Sequence, residues 1–301
     1  MRRIFRYVLI VLGFCGAVAW WLSAPEDLGP ARTALIRSNV PDVARGEAVF
    51  HAAGCAACHA ADGWAEGEQG PVLAGGQRLE TAYGVFVTPN ISPDPTHGIG
   101  AWGIEEFATA MLLGVSPEGQ HYYPAFPYTA YAKMRFQDIA HLWAYLQSLP
   151  ASDRPNVPHE LALPYAVRRG VGLWKRRYLS DDWVAAAPSQ TLARGRYLVE
   201  ALGHCAECHT PRDRFGGLNT ARWMAGAPHP AGGERRPNIT PAALDWSAAE
   251  IAYFLETGFT PDQERARGAM ARVVEGLAEL TAEDRAAIAA YVRGLAPIGP
   301  K

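Results

Sequence analysis

The sequence predicts an all-α protein made of two tandem domains behind one N-terminal membrane-spanning helix. Three observations lead there: an apolar run behind a basic N-terminus, a set of landmarks that occurs twice in the same order, and helical spacing of apolar residues without sustained period-two runs. The chain has 301 residues, 49% of them hydrophobic and 19% charged, which is long enough for two ordinary cores. That balance excludes a disordered chain and a multi-span membrane protein. Lys and Arg number 28 against 30 Asp and Glu, a formal charge of −2, so there is no basic footprint for nucleic acid.

Arg2, Arg3 and Arg6 precede an uncharged run from Tyr7 to Ala24, followed by Pro25, Glu26 and Asp27. Such a run meets the ~18-residue minimum for crossing a bilayer. Ala17-Val18-Ala19 fits the small-x-small site of a cleaved signal peptide. The run nevertheless continues through Trp20, Trp21 and Leu22, and paired tryptophans suit the outer interface of a spanning helix. The expectation is an uncleaved anchor over residues 1–25, with the arginines inside and the remaining chain in the periplasm, on the outer face of the inner membrane. Cys15 reads as a small apolar residue of that run, and Phe14 before it spoils a lipoprotein box.

Ala44-Arg45-Gly46, Cys55-Ala56-Ala57-Cys58-His59, Thr88-Pro89-Asn90-Ile91 and Ala144-Tyr145-Leu146 succeed one another in the first half. Ala193-Arg194-Gly195, Cys205-Ala206-Glu207-Cys208-His209, Arg236-Pro237-Asn238-Ile239 and Ala290-Tyr291-Val292 repeat that order in the second. The duplication sets domains at 42–150 and 191–298, of normal small-domain size, with a proline-containing basic linker at 151–190. The linker is expected to be long, packed at most across both units, with Arg168, Arg169, Lys175, Arg176 and Arg177 on a solvated face. In each unit the pattern predicts a short helix ahead of the cysteines (Glu47–Ala52, Arg196–Ala201) and a middle helix (Ile104–Leu113, Ala248–Glu256). A final helix follows (Asp138–Ser148, Ala282–Gly294), stopped by Pro150 and Pro297. Gly46 and Gly195 leave notches where another helix can cross, and Tyr145 and Tyr291 would fill them.

Cys55-x-x-Cys58-His59 and Cys205-x-x-Cys208-His209 carry the chemistry. This is the attachment pattern for c-type haem: two thiols on a helical turn reach two vinyl groups, and the adjacent histidine supplies the proximal nitrogen. A structural zinc site would want the cysteine pairs ~15–20 residues apart, a thioredoxin-type pair a strand–helix setting, and a plain disulfide no histidine. Two covalently bound haem c groups are therefore expected.

The sixth ligand separates electron carriers from oxygen or peroxide enzymes. Met270, in a loop just before the last helix, is the candidate in the second unit; Met134 occupies the corresponding loop in the first. Met224 lies too near its motif, Met111 sits in a middle helix, and His97 and His121 are fallback ligands read as solvent-facing loop residues. Asn90 and Asn238 could reach haem propionates, although turn formation explains them equally. Trp102 and Trp246 are expected to wall the haem pockets.

The chain resembles the membrane-associated multihaem c-type cytochromes that accompany periplasmic alcohol, gluconate and sorbitol dehydrogenases. The strings that carry this are Thr88-Pro89-Asn90-Ile91-Ser92-Pro93-Asp94, Gly98-Ile99-Gly100-Ala101-Trp102, Tyr123-Pro124-Ala125-Phe126-Pro127-Tyr128, Gly203-His204-Cys205-Ala206-Glu207-Cys208-His209-Thr210-Pro211-Arg212 and Met270-Ala271-Arg272-Val273-Val274. The resemblance spans nearly everything from Asp42 to Pro297. It implies two class I cytochrome c-like domains, with axial pairs His59 with Met134 and His209 with Met270. Where some members of that family have methionine, this chain has Phe126, which leaves the role to Met134. Such subunits usually carry three haem units, and this chain has two motifs. The expected function is a membrane-anchored periplasmic di-haem cytochrome without a catalytic site. It would take electrons from a periplasmic redox donor, a dehydrogenase subunit among the candidates, to a cytochrome, an oxidase or a quinone-linked acceptor of the respiratory chain. A di-haem peroxidase is the alternative; a haem-based sensor would need a signalling domain.

Overall fold

The computed structural model describes residues 1–61, 70–232 and 235–299. An apolar helix α1 (Arg2–Leu22) and a short α2 (Gly29–Arg37) precede the first unit. That unit comprises α3 (Val43–Ala52), α4 (Cys55–His59), strands β1 (Arg78–Thr81) and β2 (Gly84–Val87), α5 (Ile104–Leu113), α6 (Tyr128–Tyr131) and α7 (Phe136–Ser148). The connecting segment forms β3 (Glu160–Leu161) and α8 (Arg169–Tyr178). The second unit has α9 (Gln190–Arg196), which runs on as a π-helical turn over Tyr197–Leu202, then α10 (Ala206–His209), α11 (Ala248–Thr257), α12 (Ala269–Ala278) and α13 (Ala282–Arg293).

The fold is mostly helical; the expected middle and final helices form within two residues of their limits, whereas the first helices begin earlier than expected, at Val43 and Gln190. Local chemistry accounts for the starts. Asp42 caps α3 by accepting from Arg45 N at 3.1 Å, and Ser247 and Glu250 form a reciprocal capping box on α11. Thr281 caps α13, whose first turn holds Glu283 and Asp284 on the favourable side of the helix dipole. Left-handed Gly114 and Gly258 end α5 and α11. The small antiparallel sheet β1-β2-β3 went unforecast because its strands span four residues or fewer, too short to show alternation.

Each unit closes where its first helix crosses its last. A Cβ at Gly46 would lie 2.1 Å from His141 O and 2.8 Å from Tyr145 Cβ. At Gly195 it would lie 2.0 Å from Ala287 O and 2.8 Å from Tyr291 Cβ. Both notches are therefore filled by the partner helix itself, with the expected tyrosines beside them. Phe50, 1% exposed, tilts against Tyr145 with ring centroids 5.1 Å apart.

One apolar cluster runs from Leu28 through both units to Leu295. Tyr197 of the second unit accepts from Arg135 N at 3.2 Å and donates to Asp138 of the first. Thr129 donates to Glu207 at 3.0 Å, and Gly276 of α12 lies close against His51 O. The connecting segment is built into this body rather than trailing over it. Its β3 pairs with β2, Trp174 donates to Phe215 O at 3.0 Å, and Tyr178 donates to Asp213 at 2.7 Å. In its basic run Arg176 and Arg177 are exposed as expected, whereas Lys175 departs from the solvated face. Lys175 is buried, with its three protons on Leu113 O (2.6 Å), Gly114 O (2.6 Å) and His121 Nδ1 (3.0 Å). Burial pulls its pKa down to about 7. His121 is likewise interior, giving its Nε2 proton to Ser23 O at 2.9 Å.

Gly46→Ala and Gly195→Ala should each destabilise the holoprotein by about 3 kcal/mol, since a helix must back away from its partner. Urea unfolding followed in the haem absorption would register this, and an unchanged midpoint would contradict the crossing.

Candidate haem-binding sites

The first motif follows α3 after a left-handed Gly54 that turns the chain into α4, where Cys55, Cys58 and His59 share one short helix. In the second unit the π-helical turn and a positive φ at His204 make the corresponding bend, and Cys208 and His209 end α10. Burial pushes Cys55 and Cys205 up to about 12, so both are neutral at physiological pH.

The two histidines are held identically. His59 Nδ1 lies 2.8 Å from Pro89 O, and His209 Nδ1 lies 2.9 Å from Pro237 O. A carbonyl only accepts, so Nδ1 carries the proton and Nε2 keeps its lone pair. Burial lowers both pKa values, which favours neutral imidazole. A neutral, oriented imidazole beside two thiols is the donor set haem c requires, with the second-shell carbonyl fixing tautomer and ring direction. Arg236, preceding Pro237, is close enough to act on Cys208 and His209, and its buried Nε has no partner among the described residues. That unmatched donor suits an anionic substituent such as a haem carboxylate.

Met134 is buried in the loop between α6 and α7, as expected. Met270 is half-buried against the core but stands in the first turn of α12, not in a loop. Met270, Val273, Val274 and Leu277 follow helical spacing, a signal the reading of this stretch as a loop passed over. Met111 and Met224 are core residues. Trp102 and Trp246 pack half-buried on the core. Asn90 is not available to a propionate: its amide donates to Ser152 O (2.8 Å) and Arg154 O (2.9 Å), and its oxygen accepts from Ser92 N. Asn238 repeats the arrangement with Ile298 O and Thr240 N. Both asparagines thus tie the segment after the last helix to the loop that holds the histidine.

The two motifs are neighbours. Arg272 of α12 and Cys208 both act electrostatically on Cys58. His204, beside the second motif, places Nε2 3.3 Å from Ala53 O, beside the first, and Tyr131 donates to the same carbonyl. Neither arginine was foreseen, because only folding brings them to the motifs.

The cytochrome c family profile matches residues 43–150 and 192–296, which contain both motifs. This chain belongs to the cytochrome c family. It is 49% identical to a "Diheme cytochrome c-type" protein of Cereibacter sphaeroides over 97% of this chain and 98% of the relative. It is 36% identical to the fructose dehydrogenase cytochrome subunit of Gluconobacter japonicus over 85% of this chain, and 34% identical to the gluconate 2-dehydrogenase cytochrome c subunit of Pantoea cypripedii over 86%. The chain spans 53% and 60% of those two subunits. Electron transfer on haem c is the chemistry of this cytochrome.

Burial lowers the pKa of His121, His159 and His204, three histidines outside the proposed ligand set. Below about pH 6.5 the unfolded chain takes up protons that the folded one resists, so stability falls with acidification. The urea midpoint should be lower at pH 5 than at pH 7.5; an equal or higher value would show that these rings are not held neutral.

Proposed function

We propose that this cytochrome is a di-haem c-type electron carrier held in the membrane by α1, with both units in the periplasm. Cys55 and Cys58 would bind one haem through thioethers, between His59 and Met134; Cys205 and Cys208 would bind the second, between His209 and Met270. The observation that carries the reading is the pair of matched Nδ1–H donations to Pro89 and Pro237, which leave two Nε2 lone pairs oriented beside two thiol pairs. Haem c, when bound, supplies a one-electron iron couple. The polypeptide's part is to keep each imidazole neutral and directed, to supply thioether sulfur to the iron from Met134 and Met270, and to hold the two motifs adjacent. Thioether ligation closes iron to substrates and raises its potential, which suits a carrier and not a peroxidase.

Membrane anchoring is supported by α1, a 21-residue helix long and apolar enough to cross a bilayer, although a signal sequence passes the same test. The end of α1 is also bonded into the body. Arg169 donates to Trp20 O at 2.8 Å, Arg176 to Leu22 O, and His121 to Ser23 O. A periplasmic dehydrogenase as donor is supported by the fructose and gluconate dehydrogenase subunits among the relatives. A respiratory cytochrome, oxidase or quinone-linked component is the acceptor this reading requires.

Purified protein should contain two haem c per chain and be low-spin in both oxidation states; a high-spin ferric component would favour the peroxidase. Met270→Ala should abolish the sulfur-to-iron charge-transfer band of one haem and lower its potential, within the ~0.8 V span that axial ligands control. Met134→Ala should do the same to the other. An unchanged band in either variant removes that methionine from the ligand set.

A further inference from the structure

The segment between the two units carries an exposed surface that electron transfer leaves unexplained. Residues 162–167, Ala-Leu-Pro-Tyr-Ala-Val, are all exposed and none is charged; Leu163, Tyr165 and Val167 are 78%, 47% and 53% accessible. Water does not favour an exposed run of this kind, and surfaces that keep one generally meet something apolar. Tyr165 leans on Tyr83 with ring centroids 4.8 Å apart, so the run is held against the first unit. It leads directly into α8. From Ala162 to Leu179 the chain has Arg168, Arg169, Lys175, Arg176 and Arg177 and no acidic residue. Lys175 points into the protein, whereas Arg176 and Arg177 are exposed, as is Leu173. Glu26 is the carboxylate that acts on Lys175 and His121 from the α1 side.

The position of this surface comes from its bonds to α1. Arg169, at the start of α8, stacks 4.2 Å from the Trp20 ring centroid and donates to Trp20 O and Ser23 Oγ. Gly172 lies against Ser23 O so closely that a Cβ would come within 2.4 Å, and Arg176 donates to Leu22 O. A helix of 21 residues is about 30 Å long, the thickness of the hydrocarbon core. Groups that touch its last turn therefore sit in the headgroup layer.

We propose that residues 162–167 and the exposed face of α8 form a second membrane contact beside the anchor. Leu163, Tyr165 and Val167 enter the interfacial zone, and Arg176 and Arg177 bind the phosphates of anionic phospholipids. This rests on α1 spanning the bilayer. It would fix the tilt of the haem units over the membrane, which one spanning helix alone leaves free to swivel.

The test uses the full-length holoprotein in a Cys15→Ala background, reconstituted into phosphatidylcholine vesicles with or without phosphatidylglycerol. A benzophenone maleimide is attached at Leu163→Cys, Val167→Cys or, on α11, which packs on α12 and α13 of the second unit, Tyr253→Cys. Irradiation should yield phospholipid adducts at 163 and 167 several-fold above those at 253. Phosphatidylglycerol should raise them, and Arg176→Glu with Arg177→Glu should reverse that rise. Equal labelling at all three positions, in protein that resists alkaline carbonate, would overturn the contact while leaving the anchor intact. Adducts indifferent to phosphatidylglycerol would overturn the phosphate contacts. Release of the protein by carbonate would overturn the anchor reading itself.

Discussion

Two helix crossings made without intervening side chains organise the molecule. At Gly46 the backbone of α7, and at Gly195 that of α13, occupies space a methyl group would need. Both parts of each candidate site hang from its crossing. The cysteine–histidine motif follows the first helix directly, and the methionine lies just before the last helix or the helix preceding it. Joining the first and last helices so tightly brings together chain segments on the order of 90 residues apart.

Charge management is the second theme. The groups that would meet iron and porphyrin are kept neutral by burial, as thiols and imidazoles, and each imidazole is oriented by a backbone carbonyl instead of a carboxylate. A carboxylate there would raise the histidine pKa and add negative charge next to the metal. The ionic groups that act on the motif residues include Arg236, Arg272 and Arg212, whose positive charge favours a reduced site, and Glu207, whose charge opposes it. Surface ion pairs such as Arg78 with Glu160 add little by comparison.

The connecting segment does more than link two units. Carbonyls at the C-terminal ends of α1 and α5, including those of the cap residues Ser23 and Gly114, accept from Arg169, Arg176, His121 and Lys175. Four long or cyclic side chains thus join the anchor, the first unit and the linker. The linker's remaining contacts, Trp174 with Phe215, Tyr178 with Asp213, and Val184 and Ala185 with Glu200, bind it to the second unit.

Residues that act through their immediate neighbours were legible in the chain itself. The two Cys-x-x-Cys-His motifs, the glycine notches with Tyr145 and Tyr291, the middle and final helices and the apolar N-terminus all depend on spacing within a few turns, where covalent geometry dictates what can meet. Tertiary structure alone decided the burial of Lys175 and His121, the use of Asn90 and Asn238 as ties to the chain ends, the approach of Arg272 and Cys208 to Cys58, and the shared core. Each joins groups distant along the chain, and no local pattern reveals which buried donor will find which acceptor until the helices have packed.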